Sequence, residues 1–89
     1  MQPIINIVAN SLLLKPGDLK GKSRRSDIVF ARYLAMYIIL QGNSCTFTEV
    51  GRVFNRYPAV ASRAYQRIAK LVTTDPLLGE YILEVGRRV

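Results

Sequence analysis

Along most of the chain, apolar residues recur every three or four positions, and nowhere do they alternate with polar ones over the length of a strand. Behind Pro3, which suits the first turn of a helix, Ile4, Ile7, Val8 and Leu12 fall at that helical spacing. A first helix ending near Leu13 is therefore expected. "KPGD" reads as a turn, because Pro16 and Gly17 oppose continuation of the helix, and "LKGKSRRS" follows as a polar, basic loop. From Ile28 to Leu40 the residues are apolar nearly all round, which predicts a central helix touched by neighbours on several sides. Ser26 or Ser23 can cap it, Asp27 suits its N-terminal dipole, and Gly42-Asn43 should stop it. Ala31 and Ala35, four apart, would let another helix approach closely.

The second half is punctuated more sharply. Thr46-Phe47-Thr48-Glu49 has the spacing of a capping box, in which the threonine hydroxyl accepts from the amide three residues on and the glutamate reaches back to the threonine amide. A short helix from Phe47 to Phe54 should follow. Asn55 tolerates the left-handed conformation that turns a chain, and Pro58, with Tyr57 before it, fits the first turn of the next helix. In that helix Ala61, Ala64, Ile68 and Leu71 share one face, with Ser62, Arg63, Gln66, Arg67 and Lys70 opposite. Thr73-Thr74-Asp75-Pro76 ends it and caps a last helix, to about Arg87, that carries Leu77, Leu78, Tyr81, Ile82 and Val85. The expected fold class is all-α, a small helical bundle containing a helix-turn-helix.

The length of 89 residues suits one domain spanning residues 1–89, large enough for a modest core without metals or disulfides. Thirteen Lys and Arg against six Asp and Glu give a formal charge of +7. The excess is concentrated: between Lys20 and Lys70 ten basic residues face only Asp27 and Glu49. Such a field attracts polyanions, with affinity supplied by phosphate neutralisation and counterion release. The lone Cys45 has no partner within the chain and fits a reducing compartment. The start "MQPIINIVAN" has no basic region ahead of its apolar residues, and the longest apolar run is interrupted by Arg32 and shorter than a bilayer span. A soluble, cytoplasmic, nucleoid-associated protein with no membrane partner is the expectation.

Catalysis finds little support. With no histidine, a Ser-His or Cys-His nucleophile pair cannot be assembled within the chain, and one cysteine with scattered carboxylates makes no metal site. "KPGDLKGKS" has the wrong glycine spacing for a phosphate loop and no strand before it. No catalytic residue, cofactor, metal or small-molecule substrate is therefore expected. The stretch "EVGRVFNRYPAVASRAYQRIAK" is more informative. Val50, Val53, Phe54, Asn55, Ala61, Ala64 and Ile68 supply the apolar offsets and turn residue of a helix-turn-helix, with basic residues on the outer face of its second helix.

The segments "GDLKGKSRRSDIVFARYLAMYI" and "TEVGRVFNR" resemble the C-terminal DNA-binding domain of the bacterial replication initiator DnaA. Ala31-Arg32-Tyr33-Leu34-Ala35-Met36-Tyr37 and Val50-Gly51-Arg52-Val53-Phe54 match the family's elements in order and at closely similar separations. The resemblance covers about Pro3 to Tyr81 and implies an all-helical bundle that binds double-stranded DNA. It further implies that Arg24, in the basic loop, enters the minor groove, where guanidinium groups favour the negative potential of A·T-rich tracts. Lys22 and Arg25 would then contact the backbone.

The departure lies at the reading helix. Family members carry Arg-Asp-His followed by Ser or Thr; here Arg56-Tyr57-Pro58-Ala59-Val60-Ala61 keeps only the arginine. A target other than the standard DnaA box follows. Methyl groups of Ala59 and Val60 can pack on thymine, Arg63 can reach guanine or phosphate, and Tyr57 can bond a phosphate. The expected DNA face is thus Arg56, Tyr57, Ala59, Val60 and Arg63 toward the major groove, Arg24 toward the minor groove, and Lys22, Arg25, Arg52, Arg67 and Lys70 on phosphates. Arg32 is open between a phosphate and a partner inside the bundle. Similar domains with divergent reading helices occur in transposase-like proteins of the REP-associated family, so fusion to or association with a larger replication or transposase-like protein is a further expectation. The rival reading is a protein-protein interaction module in which Tyr57, Pro58, Ala59 and Val60 dock a partner.

Overall fold

Among the described residues, six helices account for the hydrophobic pattern: α1 (Gln2–Ser11), α2 (Pro16–Lys20), α3 (Ser26–Gly42), α4 (Phe47–Val53), α5 (Pro58–Val72) and α6 (Pro76–Arg88). The structure is a computed structural model that describes residues 1–42 and 45–88; the expected stop at Asn43 lies outside the described residues. Among the described residues there is no strand, and the fold is all-α. No described helix is long and apolar enough to cross a membrane.

Helix α3 is the axis, and all five other helices pack against it. Its apolar residues point in every direction for this reason, and Ala31, Leu34, Ala35, Met36, Ile38 and Ile39 are all buried. The small side chains of Ala31 and Ala35 have no exposed surface, as a close helix approach requires. Ile5 and Val8 of α1, Leu19 of α2, Val50 of α4, Ala61, Ala64 and Ile68 of α5, and Ile82 and Val85 of α6 complete one continuous core. A tilted ring contact between Tyr37 and Tyr65, with centroids 4.9 Å apart, joins α3 to α5. At the edges, the Tyr81 hydroxyl bonds Ser11 Oγ at 2.8 Å and Lys20 Nζ donates to Gln2 Oε1 at 2.6 Å.

Three boundaries differ from expectation. "KPGD" is the start of a helix and not only a turn: Pro16 occupies the first helical position, where its missing N–H has no role, and Asp18 Oδ2 accepts the Lys15 N–H at 3.0 Å. The basic loop is accordingly shorter, from Gly21 to Arg25. Neither Ser23 nor Ser26 holds the cap position of α3, since the Arg25 carbonyl accepts the first helical bond, from Val29 at 2.9 Å. Ser23 Oγ instead accepts the Arg25 N–H at 3.2 Å. Finally, α1 ends at Ser11, and Leu13 takes the left-handed conformation with φ 58°. Its N–H bonds the Asn10 carbonyl at 3.1 Å while the Leu14 N–H bonds Ala9 at 2.8 Å, the paired closure that commonly uses glycine.

Candidate nucleic-acid interface

The helix-turn-helix is α4, a four-residue turn and α5, and each local device in it has a sequence cause. Thr46 Oγ1 accepts the Glu49 N–H at 3.1 Å, and Glu49 Oε1 accepts the Thr46 N–H at 2.9 Å. Hydrogen bonding to its carboxyl by the Thr46 backbone, and then by the Thr46 side chain, lowers the Glu49 pKa from its ordinary value. At the other end Asn55 turns the chain with φ 57°. The Asn55 N–H reaches the Arg52 carbonyl at 3.2 Å, and the Arg56 N–H reaches Gly51 at 2.7 Å. Gly51 is obligatory there because a Cβ would stand 2.6 Å from the Arg56 carbonyl oxygen. Pro58 then opens α5 at its first position, where φ is already helical.

The basic loop is shaped by two arginines from other parts of the chain. Arg32 is only 4% exposed; its Nε donates to the Leu19 carbonyl at 2.7 Å and its Nη2 to the Gly21 and Ser23 carbonyls, each at 3.2 Å. Arg32 therefore partners within the bundle. Arg56 donates through Nη1 to Phe54 at 3.0 Å and Asn55 at 3.3 Å, and through Nη2 to Gly21 at 2.6 Å. The expectation that Arg56 faces the major groove is revised accordingly: both terminal nitrogens are engaged with the protein's own carbonyls. Burial, and then the neighbouring Arg56 charge, lower the Arg32 pKa from an arginine's ordinary value.

Around this loop three grooves adjoin. The first, between loop and α5, is lined by Lys22, Ser23, Arg24, Val29, Arg32, Tyr33, Arg56, Val60 and Arg63. The second, between α3 and α5, is bordered by Arg24 and Arg67 over Val29, Phe30, Tyr33, Ile68 and Leu71. The third runs along α5 between Arg63, Gln66, Arg67 and Lys70. Among the described residues no carboxylate lines any of them. Because Arg24, Arg63 and Arg67 are each shared between two grooves, the loop arginine and the outer face of α5 lie on one cationic side.

Lys22, Arg24, Val60, Arg63, Arg67 and Lys70 are thus brought together. Tyr57, 82% exposed, and the exposed Ala59 stand at the start of α5, outside the three grooves. Arg52 is exposed on α4 and also outside them, while Arg25 is paired with Asp27 at 2.8 Å. Leu71, expected on the packing face, is 39% exposed and forms part of the groove wall. Among the groove-lining residues outside the expected DNA face are Gln66, three residues from Arg63 and four from Lys70, and Tyr33. Helical spacing was enough to find Gln66, and a glutamine can bond adenine through two atoms. Nothing local in the sequence marks Tyr33. Among the described residues no cluster of potential metal ligands occurs.

The family model for the bacterial DnaA protein helix-turn-helix matches residues 1–68, from α1 to the fourth turn of α5. Three similar relatives each bear the name chromosomal replication initiator protein DnaA. That of Rippkaea orientalis is 32% identical over 87 residues, covering 97% of this chain and 19% of the relative. That of Latilactobacillus sakei is 31% identical over 83 residues, covering 92% and 18%. That of Thermus thermophilus is 33% identical over 73 residues, covering 81% and 17%. The chain spans less than a fifth of the length of these curated relatives. A helix-turn-helix closed by Gly51 and Asn55, adjoining grooves lined by basic residues, and a family match over most of the sequence lead to one conclusion: the chain belongs to the bacterial DnaA helix-turn-helix family, whose members are DNA-binding modules.

Proposed function

We propose that residues 1–89 act as one module that grips two adjoining grooves of a DNA duplex. The N-terminal half of α5 enters the major groove, offering Val60, Ala59 and Arg63 to base edges, with Tyr57 at its flank. Arg24 enters the neighbouring minor groove. Lys22, Arg25, Arg52, Arg67 and Lys70 neutralise phosphates. The observation that carries this reading is the groove shared by Arg24, Val60 and Arg63, which supports a common docking side for loop and helix. Apolar Ala59 and Val60 at the start of α5 favour thymine methyl contacts and a preferred sequence distinct from the standard DnaA box. The module has no catalytic role in this reading, works at the nucleoid in the cytoplasm, and serves a larger replication or transposase-like protein by fusion or association.

Arg24→Ala combined with Arg63→Ala should weaken duplex binding at least tenfold, since each contact contributes on the order of 1 kcal/mol or more. Unchanged affinity in an anisotropy titration at fixed salt rejects the assignment. Selection of bound duplexes from a random pool then identifies the target. One observation favours a second reading: Tyr57, beside the exposed Pro58 and Ala59, is a large aromatic left in solvent, as in a protein-docking patch. In that case duplex binding shows little dependence on salt, whereas the DNA reading requires a steep one.

A further inference from the structure

Arg56 stands in the turn that launches α5, where a base-reading side chain is expected, yet its guanidinium is engaged by the chain's own carbonyls. Its Nη2 donates to the Gly21 carbonyl at 2.6 Å, across 35 residues of sequence. Its Nη1 is shared between the Phe54 and Asn55 carbonyls. The same Gly21 oxygen receives Arg32 Nη2, which a carbonyl with two lone pairs can accommodate. Arg32 also holds the Ser23 carbonyl, the one directly before Arg24. The backbone on both sides of Lys22 is therefore tied to α3 through Arg32, and on the Gly21 side it is tied to the helix-turn-helix as well, through Arg56.

This arrangement joins the two parts of the proposed interface by a single side chain. Arg56 lies two residues before Pro58, the first residue of α5, and grips the chain three residues before Arg24. The distance between adjoining grooves is a property of the duplex, so two probes held in fixed register meet it without being ordered at the moment of binding. Resting on the DNA-binding reading above, we propose that Arg56 is a positioning residue: by holding the Gly21 carbonyl it keeps Arg24 in register with α5, and it contributes to DNA affinity through Arg24 and not by touching a base. Lysine lacks the planar fork that serves three carbonyls at once, but its single ammonium can still reach Gly21.

A double-mutant cycle tests this. Anisotropy titrations of an A·T-rich duplex at fixed salt compare the native protein, Arg24→Ala, Arg56→Ala and the double variant, with thermal unfolding followed alongside. Arg56→Ala should weaken binding about tenfold when Arg24 is present, because the loop must then be ordered on binding. In the Arg24→Ala background the same change should cost less than about twofold, the non-additivity expected of coupled residues. Arg56→Lys should recover part of the loss. Equal losses in both backgrounds overturn the proposal, since a residue that touches DNA directly, or merely supports the fold, acts whether or not Arg24 is there. Should Arg56→Ala lack a cooperative unfolding transition, the cycle is run with Arg56→Lys, and the same contrast decides. Failure of the native protein to bind the duplex in a salt-dependent way removes the DNA-binding reading itself, whereas additive losses beneath tight native binding remove only the positioning role.

Discussion

Arg32 and Arg67 carry the same guanidinium and occupy opposite situations. Arg32, from α3, is almost without exposed surface and serves three carbonyls of the chain segment that includes the basic loop. Arg67, from α5, is exposed and lines two of the three cationic grooves. One shapes the surface and the other is the surface. The formal charge of +7 does not distinguish them, so a count of basic residues overstates the number available to a polyanion. It also understates what the arginines bonded within the fold do. Arg32 and Arg56 are stabilised by backbone carbonyls, and those of Gly21 and Ser23 belong to the segment that presents Lys22 and Arg24.

The largest effect should come from the buried side. Arg32→Met keeps an aliphatic stem but leaves the Leu19 and Ser23 carbonyls without this donor. A stability loss of about 2–3 kcal/mol is expected, given the cost of unmade bonds to a charged group. For a domain of this size that lowers the unfolding midpoint by on the order of 10 °C or more, readable by circular dichroism. Binding to DNA should fall with it, as the loop loses its anchor. An unshifted midpoint would dissolve the contrast between the two arginines.

Arg67→Ala is the converse experiment. Stability should change by no more than about 0.5 kcal/mol, as for most surface substitutions. Duplex affinity should fall uniformly across sequences, with the salt dependence losing about one unit of slope. A change in sequence preference without a change in slope would instead assign Arg67 to a base. The smallest effect lies between the two extremes, at Arg25, which is exposed but paired with Asp27. Asp27→Asn frees that arginine and should raise duplex affinity by up to about twofold, since an exposed pair is weak. The same change removes a charge favourable to the α3 dipole, so a stability loss of about 0.5 kcal/mol should accompany it.

Two helix ends show how far such features can be read from residue types. Helices α1 and α4 close with the same pair of backbone bonds around a residue at positive φ. At α4 that residue is Asn55, a type that tolerates the conformation, and the turn was legible. At α1 it is Leu13, whose type argues against it by about 1 kcal/mol or more. Leu13 is 94% exposed, so no packing of its side chain explains the choice. The closing bonds to Ala9 and Asn10 do. Helix α2 was hidden for a related reason, because Pro16 and Gly17 suggest a turn until Asp18 is seen to bond back to Lys15.

What the residue order determined by itself is whatever depends on neighbours within a turn or two: the helical periods, the Thr46–Glu49 box, the Asn55 turn, the start at Pro58 and the basic stripe on α5. Those interactions act over a few residues and are written in residue types at fixed spacing. Tertiary structure alone decided that Arg32 and Arg56 bond one carbonyl, that Tyr33 joins the groove, and that the loop holding Arg24 meets the stripe on α5. Each of these joins groups distant in sequence, and their energetics depend on burial and on carbonyls left unpaired elsewhere. An arginine looks the same in the sequence whether it will face water or a loop's backbone; only the folded chain, by removing one side from solvent, makes the difference.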